Sequence, residues 1–531
     1  MKARAIAVIA ALLSVNAHAE IKAPGYKVQQ LVAPSAFRGI HGLAFDANDR
    51  LYAGSVFGQT LFRVDTANGK VETIVPPPEG MADDIVFLAD GTMVWTSISQ
   101  NTVRARQGDG PLRVLAEKLA SVNSINVRKT DGRLFVGQVF GGDGVWELDP
   151  TGAKPPRNIL KDLGGFNGFD IGPDGWLYGP LWFKKQIVKI NPDTSELKVV
   201  ADGFHTPAAA NFDSKWNLYV LDTAVGTVNH IDIKTGAKKV VAQLDTALDN
   251  LAIDSKDRVY VSNMADNGIQ EINVATGKAR QVIKGRLSSP VSISAAANGK
   301  SDTLYVADTF AYRSVDGTTG KVTDLQRSHS ATATIAYATA VSASAAHVLV
   351  SSSNGTLQKY QRNDGKLLKE WKGLRATGAV ELPGGDVLVA QGGSLIRINS
   401  KDEKQTIAEG VGRAQSLALS KGGVYFVDGA SGQIQHVAFA GAKRTVTAEI
   451  KVPQGLAVDS RGQLVTVDFT KQRLVRIDPT SGAITEIATQ LPIGARGLER
   501  AEWPVSLTIG QAGDIYVTSD IENSIYKISK Q

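Results

Sequence analysis

Six positions about forty residues apart hold His41, Asp83, Asn123, Asn167, Ala208 and Asp249. Asp84 directly follows Asp83, and Asn250 directly follows Asp249. These residue types suit one chemistry. Asn amides and Asp carboxylates are hard oxygen donors, and Ca²⁺ takes six to eight oxygens at about 2.3–2.6 Å, with water filling the remainder. Asp83, Asn123, Asn167 and Asp249 would supply neutral and anionic oxygens without excess charge. A cation held there would act as a Lewis acid on a carbonyl or phosphoryl oxygen. Asp249 and His41 are the candidate bases, and Asp249 is also a candidate nucleophile. The plainer reading is local. Asn and Asp favour turns because their side chains bond nearby backbone, and buried channels hold waters that need polar partners.

The elements that would gather these side chains are read from a repeat. The stretch "IHGLAFDANDRLYAGSVFGQTLFRVDTANGKVETIV" (40–75) holds an apolar strand, a turn, a second strand, a loop, a third strand, a T-x-x-G turn and a fourth strand. "DNLAIDSKDRVYVSNMADNGIQEINVATGKARQVI" (249–283) and "QGLAVDSRGQLVTVDFTKQRLVRIDPTSGAITEIA" (454–488) repeat it, and less regular copies begin near Met81, Val122, Phe166, Pro207, Ser289, Thr339, Thr377, Gln415 and Val505. Four-strand units of this length are β-propeller blades. First strands are almost wholly apolar, as strands buried on both faces are, whereas fourth strands such as Lys70–Val75 alternate. Twelve units exceed the usual four to eight of one ring, so the fold class is all-β, with tandem β-propellers of six blades each. Innermost strands surround the central channel. Equivalent positions before them therefore converge at one mouth.

The two rings differ at that position. In the last six units it holds Ser289, Thr339, Thr377, Gln415, Gln454 and Val505, polar for the most part but without carboxylate or imidazole. Loops between second and third strands open on the same face. In the first ring they carry Phe57, Phe140, Trp182 and Phe183, which with Asn250 form the expected substrate-binding wall. Phe310, Tyr312 and Phe469 stand at comparable points of the second ring. A spare strand at 26–32 precedes the first unit, and the last unit stops after its third strand. Spare strands close propellers by covering an open edge. One closure keeps 26–32 in the first ring and gives domains 20–276 and 277–531; the other sends it to the second ring, with a boundary near 286.

The repeat, with "FNGFDI" and "LDNLAID", resembles the superfamily of SMP-30/gluconolactonases and of paraoxonase-like and diisopropyl-fluorophosphatase-like hydrolases. NHL-repeat proteins, strictosidine-synthase-like proteins and the virginiamycin B lyase are similar at blade level. The resemblance implies that Asn123 in "VNSINV", Asn167 in "FNGF" and Asp249 in "LDNLAID" are metal ligands, with calcium or another divalent ion polarising a lactone carbonyl or phosphoryl oxygen. The family's first-blade Glu would fall at or near His41, so Asp83 is expected to replace it from the next blade. Asp249 also stands two blades from Asn167, where the corresponding gluconolactonase pair comes from adjacent blades.

Residues 1–19 read as a cleavable export signal: Lys2 and Arg4, an apolar run from Ile6 to Val15, and Ala17-His18-Ala19 before a mature start at Glu20. No other segment approaches membrane-spanning length, so a periplasmic or secreted protein without an anchor is expected. There is no Cys, which excludes disulfides and thiolate metal sites. Losing Lys2 and Arg4 lowers the net charge from +6 to +4, and no basic tract interleaves with aromatics, so no nucleic-acid partner is expected. The chain lacks G-x-S-x-G, H-E-x-x-H and P-loop motifs. His205, His230, His329, His347 and His436 read as ordinary strand or loop residues. The insertion "PIGARGLERAEWP" (492–504), with Arg496, Glu499, Arg500, Glu502 and Trp503, reads as a solvated loop, or else a lid or partner contact. Three functions follow: a metal-dependent lactone or ester hydrolase, a lyase or isomerase on the same site with His41 as base, or a binding protein that takes a small ligand or a protein partner on its second propeller.

Overall fold

Among the described residues, alternating and apolar segments become forty-eight strands in twelve four-stranded antiparallel sheets. The structure is a computed structural model, and it describes residues 20–446, 448–495 and 504–531. Residues 1–19, read above as an export signal, and residues 496–503 of the insertion lie outside them. Among the described residues the one helix is a short 3-10 turn, Ile98–Gln100, and no helix is long and apolar enough to cross a membrane.

The innermost strands of blades 1–6 begin at Ile40, Ile85, Val122, Asp170, Pro207 and Leu248, and each packs on the next until blade 6 meets blade 1. Those of blades 7–12 begin at Ser292, Ala338, Gly378, Ala414, Pro453 and Leu507 and close in the same way. Apolar side chains fill the wedge between neighbouring sheets. Val94, Val122, Leu134 and Val136 do so between blades 2 and 3, and Val465, Val517 and Ile528 between blades 11 and 12.

Closure corrects the 20–276 and 277–531 division. Tyr26–Val32 pairs with Ser524–Lys530 and completes blade 12, while Lys278–Ile283 pairs with Gly268–Asn273 and stays in blade 6. The reason is local. The turn Val274-Ala275-Thr276-Gly277 between those last two strands is tight, with Gly277 N–H donating to Asn273 O at 2.8 Å, so they must pair with each other. Blade 6 then has no vacancy, and the spare strand must cover blade 12. Packing of the outer turns agrees. A Cβ on Gly69 of blade 1 would lie 2.4 Å from Val282 O of blade 6, and one on Gly320 of blade 7 would lie 1.8 Å from Leu31 O. Both glycines have positive φ and sit against the outer strand of the preceding blade.

The chain therefore crosses between the rings twice, at 33–39 and at 284–291. Both crossings are partly buried and are bonded to the rings. Asn267 of blade 6 donates from Nδ2 to the carbonyls of Phe37, Leu287 and Ser288 at 2.6, 2.9 and 3.0 Å, and Asn523 of blade 12 donates to Phe37 O at 2.8 Å. Arg38 donates to Ser289 Oγ at 3.0 Å and to Asp520 O at 3.2 Å. Arg327 of the second ring pairs with Asp266 of the first at 2.6 Å. These contacts bring the two mouths face to face.

Candidate functional site

His41, Asn123 and Asp249 each sit on a β-bulge. In blade 1 the ladder runs Ile40↔Ser55 and then Leu43↔Ala53, so His41 and Gly42 together oppose Gly54. Asn123 and Ser124 oppose Gly137 in blade 3, and Asp249 and Asn250 oppose Ser262 in blade 6. A bulge re-aims side chains and breaks the ladder. Here hydroxyls take up the freed groups. Ser262 Oγ accepts from Asn250 N at 3.0 Å and donates to His41 O at 2.7 Å, joining blades 6 and 1. Thr96 Oγ1 accepts from Asp84 N at 3.1 Å and donates to Asn123 O, joining blades 2 and 3. In blade 4 the disturbance is larger. "FNGFDI" is not one strand; it makes single bridges at Phe166 and Gly168, and pairing resumes at Asp170–Ile171. Asn167 Oδ1 accepts from Gly168 N at 2.9 Å, which bears out the local turn reading for that oxygen.

His41, Asp83, Asn123, Asn167 and Asp249 line one cavity of about 950 Å³. Ala208, the sixth member of the series, is buried and does not line it. Asn123 Nδ2 donates to Asp83 Oδ1 at 2.8 Å, so the amide oxygen of Asn123 and the second oxygen of Asp83 keep acceptor capacity. Burial, followed by the charges of Asp249 and Asp84, pushes the Asp83 carboxyl well above the usual range. Burial likewise raises Asp249, with His41 pulling the other way. Among the described residues, no Lys or Arg is one of the charges acting on these two carboxyls. His41 Nδ1 lies 3.0 Å from Gly39 O; a carbonyl only accepts, so the proton sits on Nδ1 and Nε2 is free to accept.

The neighbouring polar residues have structural work. Asp84 accepts from Ile85 N at 2.9 Å, from Ile125 N at 3.0 Å and from Asn250 Nδ2 at 3.1 Å, linking blades 2, 3 and 6. Burial still raises it to about 7. Asn250, expected at the substrate wall, is therefore a strut below the cavity and does not line it. Phe57, Phe140 and Trp182 do line it. Phe183 does not; it is largely exposed and meets Phe140 edge-on at 6.0 Å.

The cavity continues into the channel of the second ring, past Thr339, Thr377 and Gln415. That ring also contributes His329 and Tyr337, which line the cavity, and Phe310, which packs on His41 at 5.7 Å and on Phe57 at 5.3 Å. His205, His230, His347 and His436 keep their ordinary roles away from the cavity, but His329 departs from its reading as a plain loop residue. Nothing in the repeat marks it, since it lies in a connection between blades. Tyr312 belongs to a strand and stacks on Tyr305, away from the site.

Among the described residues, no three His, Cys, Asp or Glu side chains come together as a metal-ligand group. The donor set is two carboxylates with two amides. Its chemistry fits a hard cation: two buried carboxyls share the cavity, and no described Lys or Arg is among the charges acting on them.

The SMP-30/gluconolactonase/LRE-like region matches residues 27–310, more than half of the chain. No curated protein matches. Among solved structures, one provisionally assigned as a gluconolactonase is similar at 12% identity, covering 50% of this chain and 99% of its own, with a TM-score of 0.38. The extracellular domain of a provisionally assigned one-component system from B. thetaiotaomicron is similar at 11% identity, covering 92% of this chain and 70% of its own, with a TM-score of 0.32. At these scores neither likeness carries an argument.

Proposed function

The chain belongs to the SMP-30/gluconolactonase/LRE-like family, and from that premise we propose that it is an exported, metal-dependent hydrolase of a lactone or ester. The observation that carries this reading is the pair Asp83 and Asp249, two carboxyls raised by burial that face one cavity with Asn123 and Asn167. Those four residues would hold a divalent cation, with Ca²⁺ the ion their oxygens suit, and it would supply Lewis-acid polarisation of the substrate carbonyl. His41 Nε2, free because Nδ1 is bonded to Gly39 O, takes a proton from water as the water oxygen adds to the carbonyl carbon. Asp249 lies near enough to stabilise the imidazolium that forms. The ring C–O bond then breaks, the leaving oxygen takes the proton back, and one water has been added to give a hydroxy acid. Phe57, Phe140 and Trp182 border the cavity and keep bulk water from its floor.

Elemental analysis of purified protein, then a lactone and ester panel with and without chelator, tests the reading. Bound calcium and chelator-sensitive hydrolysis are expected. Hydrolysis unaffected by chelator overturns the metal, and full cation loading with no turnover on any member favours a binding protein. The free Nε2 of His41 suits a lyase as well; a new double bond without water uptake would identify that reaction. Export is supported by Lys2, Arg4, the apolar run 6–15 and Ala17-His18-Ala19. A mature N-terminus at Glu20 tests it.

A further inference from the structure

One connection of the second propeller lies over the mouth of the first. Residues 328–337 join blade 7 to blade 8. Ser328 Oγ donates to Thr309 O at 3.2 Å and bonds Ala336 O, which closes the segment on itself. Ala331 N donates to Ala224 O of blade 5 at 2.8 Å, which docks it on the first ring. At the two ends of the segment stand His329 and Tyr337, with Nε2 and Oη 2.9 Å apart. The His329 ring meets Trp182 of blade 4 edge-on at 5.8 Å, and Tyr337 meets Phe310 edge-on at 5.5 Å. Both side chains line the cavity that His41, Asp83 and Asp249 line.

We propose that Tyr337 is a substrate-contacting residue of the first propeller's site, donating its hydroxyl hydrogen to the oxygen that becomes anionic when the carbonyl is attacked, and that His329 is its positioning residue. The inference rests on the hydrolase reading above. Burial, with the nearby charge of His41, lowers His329 to about 4, so it is neutral near pH 7. With its proton on Nε2, His329 donates to Tyr337 Oη and leaves the phenol hydrogen free to point into the cavity. Tyr337 lines the same cavity as Asp249 and Asp83, and the charges of both are felt at its hydroxyl. A preorganised donor aimed at a developing oxyanion stabilises the transition state more than the substrate. The working site is then built from both propellers, and the second is part of the enzyme rather than an appended module.

The test uses the full chain and methylphosphonate, a tetrahedral oxyanion, titrated calorimetrically with and without Ca²⁺. Tyr337→Phe keeps the ring packing and removes only the hydroxyl. It should weaken methylphosphonate about tenfold, as loss of a hydrogen bond to a charged group does, and leave Ca²⁺ affinity unchanged. His329→Ala should cause a smaller loss in the same direction, and Tyr305→Phe none. Equal affinity in the wild type and Tyr337→Phe, or no binding by either, overturns the inference. Absence of Ca²⁺ binding in the wild type overturns the metal reading instead, and the cation-free titration still reads Tyr337. If Tyr337→Phe does not fold, the His329→Ala titration decides, and unchanged methylphosphonate affinity there overturns the inference.

Discussion

The two propellers solve one packing problem with different chemistry. In the second, neutral hydroxyls join neighbouring innermost strands. Ser292 Oγ accepts from Val341 N at 3.1 Å, Ser294 Oγ from Ala343 N at 2.9 Å, and Thr508 Oγ1 from Ala295 N at 3.0 Å. In the first, carboxylates do the same work. Asp84 accepts from Ile125 N at 3.0 Å, and Asp170 from Phe212 N at 2.9 Å. Burial raises both acids, so these joins between innermost strands of the first ring carry a destabilising charge load that the hydroxyl joins of the second do not. Hydroxyls are sufficient to hold a six-bladed ring. The carboxylates and the imidazole of the first ring therefore need an explanation beyond packing, and a shared cavity with a cation demand supplies one.

The largest expected effect separates the rings by function. Asp249→Ala should abolish Ca²⁺ binding in calorimetry and lower hydrolysis by roughly 10²-fold or more, whereas Thr377→Val, at the equivalent position of the second ring, should leave cation binding unchanged. Comparable losses in both variants would erase the contrast.

Next comes the contact between the rings. Arg38 is buried and faces Asp308 and Asp520, whose carboxyls burial raises even so. Arg38→Met removes the charge that offsets burial of Asp520, while Asp308 keeps its pair with Arg313, and should cost about 3–5 kcal/mol in denaturant unfolding. A loss below about 1 kcal/mol would mean that the rings do not depend on this crossing.

The pH dependence of stability sharpens the charge contrast. Asp84 titrates at about 7 when folded and in the ordinary aspartate range when unfolded, so the native state holds the extra proton between them. The cation-free protein should thus lose stability as pH rises from about 4 to 7, with a slope of up to about 1.4 kcal/mol per unit from this group. Ca²⁺ should flatten the curve. Thermal melts across that range, with and without Ca²⁺, would show it, and a flat cation-free curve would count against the charge load.

The smallest effect concerns the neutral staples. Ser292→Ala removes one acceptor from Val341 N and should cost about 1 kcal/mol in unfolding, with cation binding untouched.

Much of the molecule is legible in its sequence because a propeller is periodic. The forty-residue spacing that aligns His41, Asp83, Asn123, Asn167 and Asp249 is the blade period, and blade symmetry makes alignment equivalent to convergence. Asn250 escapes that logic because a bulge turns consecutive residues opposite ways, and sequence alone does not say which of Asp249 and Asn250 faces the channel. The closure is encoded in the tight turn at 274–277, which leaves its flanking strands no other partner. His329 and Tyr337 carry no such signal. They sit between repeats, and their role depends on how one ring docks on another.

Sequence by itself therefore determined the blades, their number and the polar series at the first mouth, because these follow from short-range strand and turn preferences repeated along the chain. Only the tertiary structure decided which oxygens remain available and that the second propeller overhangs the first. Those outcomes depend on contacts between residues far apart in the chain, such as Arg38 with Asp520 and Ala331 with Ala224, and no local pattern encodes them.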